Sequence, residues 1–76
     1  MSPLLTLMAR LSAAQKLGKK IKIRRLELGY SQERLGEITG LDRTYISGIE
    51  RGVRNPSLKN IEKIAKAMSL PINRLI

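Results

Sequence analysis

Residues 31–52 read SQERLGEITGLDRTYISGIERG and hold the strongest structural signal in the chain. Ser31 and Asp42 are residue types that favour the N-cap of a helix, and a helical pattern of apolar residues follows each of them. Gly40 lies between the two patterns, where it supplies the positive φ of a helix end. The stretch therefore predicts two short helices joined by a tight turn.

The apolar residues of this stretch predict how its two helices pack. Leu35 faces the core, Gly36 lets the second helix pass close, and Ile46 and Ile49 pack back against that contact. This spacing is typical of a DNA-binding helix-turn-helix, whose second helix enters the major groove with its N-terminus first. An ordinary helical hairpin, in which the glycines only cap, is the alternative.

The outward side of the second helix favours DNA binding. Arg43, Thr44 and Ser47 lie at positions i, i+1 and i+4, and all three can address base edges. An arginine makes the bidentate contact to guanine O6 and N7 that dominates major-groove reading. A solvated surface would more often hold Glu and Lys here, so we predict that these three residues read the bases.

Other polar residues flank the predicted reading helix. Gln32 begins the preceding helix and can present its side-chain amide and backbone N–H groups to a phosphate. Arg51, Arg54 and Asn55 follow the reading helix and are predicted to bind the flanking DNA backbone. Tyr45 could reach a phosphate or a thymine methyl group, or it could be a partly buried packing residue.

The rest of the chain also predicts helices. Pro3 opens a first helix with Leu4, Leu7, Met8 and Leu11 on one face. Ser12 opens the next with Gln15 as a capping box, and Gly29 ends it. Ser57 caps a helix that runs to about Met68, and Pro71 starts a last short turn. Glycine and proline separate these pieces, and none shows the alternating pattern of a strand, so the fold is predicted to be all-α.

Composition excludes several classes of function. The chain has 76 residues, 15 Lys and Arg against 6 Asp and Glu, a net charge of +9, and no His or Cys. It therefore cannot contain an imidazole base, a thiolate nucleophile, a zinc finger or a disulfide. No remaining residues show the spacing of a nucleophile and its base, so we predict no enzyme activity, cofactor, metal or small-molecule ligand.

The charge and hydropathy of the chain indicate its partner. The surplus of basic residues favours a polyanion, and nucleic acid is the first candidate. The longest apolar stretch is far shorter than the roughly 20 residues that span a bilayer, and a cytoplasmic location is expected. A membrane-surface or partner-binding module is the alternative for the basic amphipathic stretch 4–28, but it would leave the capped, polar region 31–55 without a purpose.

A basic cluster precedes the predicted helix-turn-helix. It contains no acid and can be a solvated helix face, or some of its members can approach the phosphates beside the groove. Its members are Lys16, Lys19, Lys20, Lys22, Arg24 and Arg25.

Residues 17–68 resemble the Cro/CI-type (XRE) helix-turn-helix family. The shared positions are cap, turn, core and contact residues: Leu17-Gly18, Arg25, Ser31-Gln32-Glu33, Leu35, Gly40-Leu41 and Ile49-Glu50-Arg51-Gly52. More narrowly, residues 42–51 with Arg54-Asn55 are similar to the controller proteins of type II restriction–modification systems. A phage-type repressor or an antitoxin-like regulator on the same fold is the alternative function.

The resemblance implies an architecture and a structural ion pair. The expected fold is a compact five-helix lambda-repressor-like domain over residues 15–76, with residues 1–14 as an extra N-terminal helical segment. Arg25 and Glu50 would form the family's ion pair, which ties the first family helix to the end of the reading helix. Arg24 and Ile38 depart from the family pattern, because position 24 is usually apolar and position 38 usually polar.

The resemblance also implies a homodimer that binds a palindromic operator in double-stranded DNA. One reading helix covers only about four base pairs, so two copies related by a twofold axis are needed. The apolar C-terminal end is the predicted dimer surface, although it could instead close the core of the single chain. Its residues are Leu70, Ile72, Leu75 and Ile76.

Overall fold

The computed structural model describes residues 2–3, 5–6 and 10–76. Within this part of the chain there are four α-helices and no strand, which confirms the all-α prediction. For the described residues the expected count of five α-helices is wrong, because the element after Pro71 is one turn of 3-10 helix and not an α-helix. The elements are α1 (Ala13–Glu27), α2 (Gln32–Thr39), α3 (Arg43–Glu50), α4 (Leu58–Ala67) and the 3-10 helix (Ile72–Arg74).

Each α-helix begins at a side chain that accepts a backbone hydrogen bond. At α1 the capping box is complete, because Ser12 Oγ accepts from the Gln15 N–H at 3.1 Å and Gln15 Oε1 accepts from the Ser12 N–H at 2.9 Å. The other caps are Ser31 for α2, Asp42 for α3 and Ser57 for α4. These local hydrogen bonds satisfy N–H groups that a helix cannot pair internally, so they fix where each helix starts.

The end of α4 depends on a residue of α1. Ser69 has a φ of 55°, and the Leu70 N–H donates to the Ala65 carbonyl at 2.9 Å, which is the Schellman arrangement. Arg24 Nε donates to the Met68 carbonyl at 3.1 Å. This hydrogen bond links α1 to α4 through an arginine at a position that is usually apolar in the family. It also places a cation at the C-terminus of α4, where the helix dipole makes positive charge favourable.

The core lies between the four α-helices, with α1 and α2 packed against α3 and α4 packed against α2. Its fully buried large side chains are Ile21, Leu35, Ile46, Ile49, Ile64 and Met68. Two glycines allow the close approaches. A Cβ on Gly36 would lie 2.7 Å from the Leu41 carbonyl oxygen, and one on Gly18 would lie 2.6 Å from the Glu50 carbonyl oxygen. The first approach closes the turn between α2 and α3, and the second brings α1 against the end of α3.

The N-terminal segment is only partly described. Residues 3, 5 and 6 are helical, and Ser2 Oγ accepts from the Leu5 N–H at 3.2 Å. Most of the apolar face predicted for this helix, Leu4, Leu7 and Met8, lies outside the described residues. Helix α1 already begins at Ala13, so the last two residues of the predicted segment 1–14 belong to its first turn. No helix in the described ranges is long and apolar enough to cross a bilayer.

The predicted dimer surface is divided by burial. Leu75 is only 2% exposed and belongs to the core of its own chain, so for this residue the alternative holds. Leu70 and Ile72 are half-buried against the same core, whereas Ile76 is 63% exposed. Leu75 is buried because the 3-10 turn directs it back towards α4.

Candidate nucleic-acid interface

Helix α3 separates an apolar side from a polar side. Ile46 and Ile49 are buried in the core, while Arg43 and Thr44 are exposed and Ser47 is half-buried. At 3.6 residues per turn, these three polar residues fall within an arc of about 100°. The structure therefore brings the three predicted base-reading residues together on one accessible side.

The N-terminus of α3 is held by an ionised carboxylate. Asp42 Oδ1 accepts from the Thr44 N–H at 2.7 Å. This backbone hydrogen bond favours the charged form and lowers the pKa of Asp42 below its ordinary value. Asp42 thus fixes the first turn of α3, from which Arg43 and Thr44 project.

The C-terminus of α3 is held by a buried ion pair. Arg25 Nε lies 2.7 Å from Glu50 Oε2, and a second guanidinium nitrogen donates to Glu50 Oε1 at 2.9 Å. A third contact runs from Arg25 to the Tyr30 carbonyl at 2.8 Å. Hydrogen bonding to Glu50 raises the pKa of Arg25 and outweighs burial, which acts in the opposite direction. The pair has the bidentate geometry that makes such contacts strong and specific.

Gln32 contacts the same acid. Its Nε2 donates to Glu50 Oε1 at 3.2 Å, which uses one of the two hydrogens of the amide nitrogen. The other hydrogen remains available to an acceptor outside the chain. The backbone N–H groups of Gln32 and Glu33 also have no protein acceptor within the part of the chain that the structure describes. The beginning of α2 therefore presents the predicted backbone N–H donors. The Gln32 side chain offers one amide hydrogen and not two, because the other is bound to Glu50.

The flanking residues after α3 do not form one group. Arg51 is exposed at the end of α3, and Arg54 is exposed with its stem across Gly48. Asn55 instead lines a different cleft, beside Leu17. Asn55 and Arg51 therefore line different clefts.

Gly48 is a residue that sequence reasoning missed. A Cβ at this position would collide with Cγ of Arg54, and the Gly48 carbonyl accepts from the Arg54 N–H at 3.1 Å. Glycine inside a helix costs about 1 kcal/mol relative to alanine, so its presence in α3 is a signal of close approach that could have been used. Gly48 therefore leaves room for the stem of Arg54 and accepts its backbone hydrogen bond.

Tyr45 belongs to α3 and contacts α4. It is half-buried against the core, and its phenolic oxygen accepts from Asn60 Nδ2 at 3.1 Å. The ring of Tyr45 is thus a partly buried packing group, as in one of the two interpretations of the sequence. Its hydroxyl hydrogen remains able to donate to an outside acceptor.

The geometry agrees with the match to a family model. A model described as helix-turn-helix matches residues 21–75, which include α2, α3 and α4 in full. This chain belongs to the helix-turn-helix family. Within that family, control protein C.BamHI of Bacillus amyloliquefaciens is 54% identical over 54 residues, which are 70% of this chain and 67% of that protein. The resemblance stated from the sequence is confirmed.

Solved structures of controller proteins share the fold of this helix-turn-helix chain. The controller protein C.AhdI from Aeromonas hydrophila is 43% identical with a TM-score of 0.81, over 83% of this chain and 96% of that one. The controller protein C.Esp1396I, solved as a tetramer in complex with its natural 35 base-pair operator, is 44% identical with a TM-score of 0.75, over 82% of each chain. Several curated relatives are longer, and the chain spans 55–67% of their length.

Proposed function

We propose that this chain is a sequence-specific DNA-binding transcriptional regulator, the controller of a restriction–modification system, which binds a palindromic operator as a homodimer. The observation that carries the proposal is the polar arc formed by exposed Arg43 and Thr44 and half-buried Ser47 on a helix whose other side is buried in the core. The similarity to C.BamHI and C.AhdI supports the narrower assignment. It acts by binding, with no catalytic step.

The dimensions of α3 suit the major groove. An α-helix with its side chains is about 10–12 Å across, which fits a groove about 12 Å wide, and the eight residues of α3 make it about 12 Å long. Arg43 at the leading end reaches guanine O6 and N7 with its two parallel donors. Thr44 and Ser47 offer hydroxyl groups to neighbouring base edges, and the Thr44 methyl group can contact thymine.

The groups around α3 fix its register on the duplex. Gln32 and the first N–H groups of α2 bind a phosphate on one side of the groove, and Arg51 and Arg54 bind phosphates on the other. Glu50 would repel this backbone if it were ionised in isolation. Its pairing with Arg25 removes that repulsion, since its side chain is only 3% exposed.

A dimer supplies the second reading helix. Half-sites one turn of duplex apart require the two copies of α3 to lie about 34 Å apart. The proposed dimer surface contains Leu70, Ile72 and Ile76 from the C-terminal end, without the buried Leu75. Ile23 joins it, because this exposed residue and Leu70 line one cleft. The operator-bound tetramer of C.Esp1396I supports an oligomer.

Selection of bound duplexes from a random pool tests the DNA-binding part of the proposal. We expect enrichment of two half-sites related by a twofold axis, about 10 base pairs apart between their centres. Recovery of duplexes with no common sequence would contradict it.

The neighbouring genes test the controller part. A methyltransferase gene and an endonuclease gene beside this one are expected for a controller. A phage switch or a toxin gene in their place would favour the alternative regulator on the same fold.

A further inference from the structure

A basic cleft lies beside the C-terminal end of α3. It is lined by Leu11, Gln15, Lys19, Lys22, Glu50 and Arg51. Lys19, Lys22 and Arg51 are exposed, and Glu50 is neutralised by Arg25 behind the cleft wall. Three cations therefore face solvent in one place, next to the helix proposed to read DNA.

The lysines of α1 divide into two pairs. Lys19 and Lys22 line this basic cleft, one turn apart on the helix. Lys16 and Lys20 line a different, apolar cleft with Leu17 and Ile76. The division follows from the packing of α1, because Gly18 abuts the carbonyls at the end of α3 and so turns one edge of α1 towards Arg51.

The basic cleft lies where the rim of a bound major groove would be. Arg43, Ser47 and Arg51 follow one another at intervals of four residues, so they run along one side of α3. Arg51 therefore lies about 12 Å behind Arg43 along the helix axis. With Arg43 at the base edges, Arg51 and the two neighbouring lysines reach the phosphates that border the groove.

We infer that Lys19 and Lys22 bind the sugar–phosphate backbone beside each half-site and extend the DNA contact from α3 to α1. This inference rests on the proposed function. The competing role for these lysines is intramolecular, because a cation near the end of α3 stabilises its exposed carbonyls. An intramolecular role would change the stability of the free protein but would leave the salt dependence of DNA binding unaltered.

The test compares two double variants of equal charge. Lys19→Ala with Lys22→Ala removes the pair beside Arg51, and Lys63→Ala with Lys66→Ala removes an exposed pair of the same spacing on α4, beside Ile38. Each full-length protein is titrated with a selected duplex and with a random-sequence duplex of about 30 base pairs at several salt concentrations. Thermal unfolding of each free protein is followed by circular dichroism.

The inference predicts different salt slopes for the two variants. Loss of Lys19 and Lys22 should reduce the slope of log affinity against log salt by about 0.9 per lost contact, up to about 3.6 for a dimer, on both duplexes. Affinity for the selected duplex should fall at least about tenfold in 0.1 M salt, since several phosphate contacts are lost. Lys19→Arg with Lys22→Arg should restore the slope, and the control pair should change it by less than one contact.

Two results would overturn the inference. One is an unchanged slope after loss of Lys19 and Lys22, and the other is an equal change in both double variants, which would indicate only the loss of net charge. Failure of the proposed function looks different. In that case the unmodified protein would bind the selected and random duplexes equally well, before any lysine is replaced.

Discussion

Glu50 is an acid at the end of a helix that is proposed to meet a polyanion. Its two oxygens accept from Arg25, and one of them also accepts from Gln32. These contacts let a carboxylate remain buried without an unpaired charge. The same side chain joins α1, α2 and α3, so it fixes the reading helix relative to its neighbours.

Removal of this acid should destabilise the fold. Glu50→Ala leaves the buried guanidinium of Arg25 without its anion, which typically costs about 3–5 kcal/mol of unfolding free energy. Glu37→Ala is the matched control, because it breaks the exposed Arg34–Glu37 pair and should cost no more than about 1 kcal/mol. Urea unfolding measures both. Equal losses would contradict the structural role of Glu50.

Asp42 should make the fold acid-sensitive. The pKa of its carboxyl is lowered in the folded chain by hydrogen bonds from Thr44. The stability from its charge is therefore complete above the unfolded pKa, about 3.9. It is lost as the pH falls through the lower folded value.

The Asp42→Asn variant tests this acid sensitivity. It keeps a capping oxygen and removes the titration. Unfolding in urea from neutral pH down to about pH 2, below the ordinary aspartate pKa, should show a smaller loss of stability for Asp42→Asn than for the unmodified protein. If the free energy of unfolding fell equally with pH in both proteins, the proposed role of the Asp42 charge would be contradicted.

Among the secondary-structure elements, the residues at which helices begin could be predicted from the sequence. The close approaches between helices could be predicted only in part. Ser12, Ser31, Asp42 and Ser57 act through residues two or three positions away, so the sequence contains the whole interaction. The sequence identifies Gly18 only as a position shared with the family. Its partners are carbonyls at the end of α3, which come near only after folding.

The structural roles of Gly48 and Arg24 were missed for the same reason. Each has a tertiary partner that local spacing does not reveal, namely the stem of Arg54 and the Met68 carbonyl. The predicted roles of the reading residues stay predictions, because they concern a partner outside the chain.

The contact between α1 and α3 can be tested at Gly18. In an isolated helix, alanine in place of glycine would stabilise by about 1 kcal/mol. Here the added Cβ would meet backbone carbonyls that cannot rotate away, so Gly18→Ala should destabilise by about 1–3 kcal/mol. Lys19→Ala, an exposed neighbour on the same helix, should change stability by no more than about 0.5 kcal/mol. Stabilisation by Gly18→Ala would show that the helices do not approach closely.

In the whole molecule, the apolar C-terminal end divides between the core and the proposed dimer surface. The amphipathic pattern could not say which of its residues fill the core, because that depends on the space left by α1 and α4. Leu75 occupies that space, while Ile76 and Ile23 stay exposed. The core therefore accounts for part of the predicted dimer surface and leaves the rest for a partner.

Two substitutions separate these roles. Leu75→Ala opens a cavity in the core and should lower the unfolding free energy by about 2–5 kcal/mol. Ile76→Asp should leave the monomer folded and weaken self-association, because it introduces a charge into an apolar contact. Unfolding in urea and sedimentation equilibrium measure the two effects. An Ile76→Asp protein that associates as well as the unmodified one would contradict the proposed surface.

The N-terminus of α3 is proposed to read bases in the major groove. Replacement of each guanine in the selected half-site by 7-deazaguanine removes the N7 acceptor from that groove alone. At one symmetric position this should weaken binding of the unmodified protein about tenfold, as expected for half of a bidentate arginine contact worth about 1–3 kcal/mol. The Arg43→Ala protein should bind the 7-deazaguanine duplex and the unsubstituted duplex with equal affinity. If no 7-deazaguanine weakened binding, or if each weakened both proteins equally, Arg43 would not be reading the major groove.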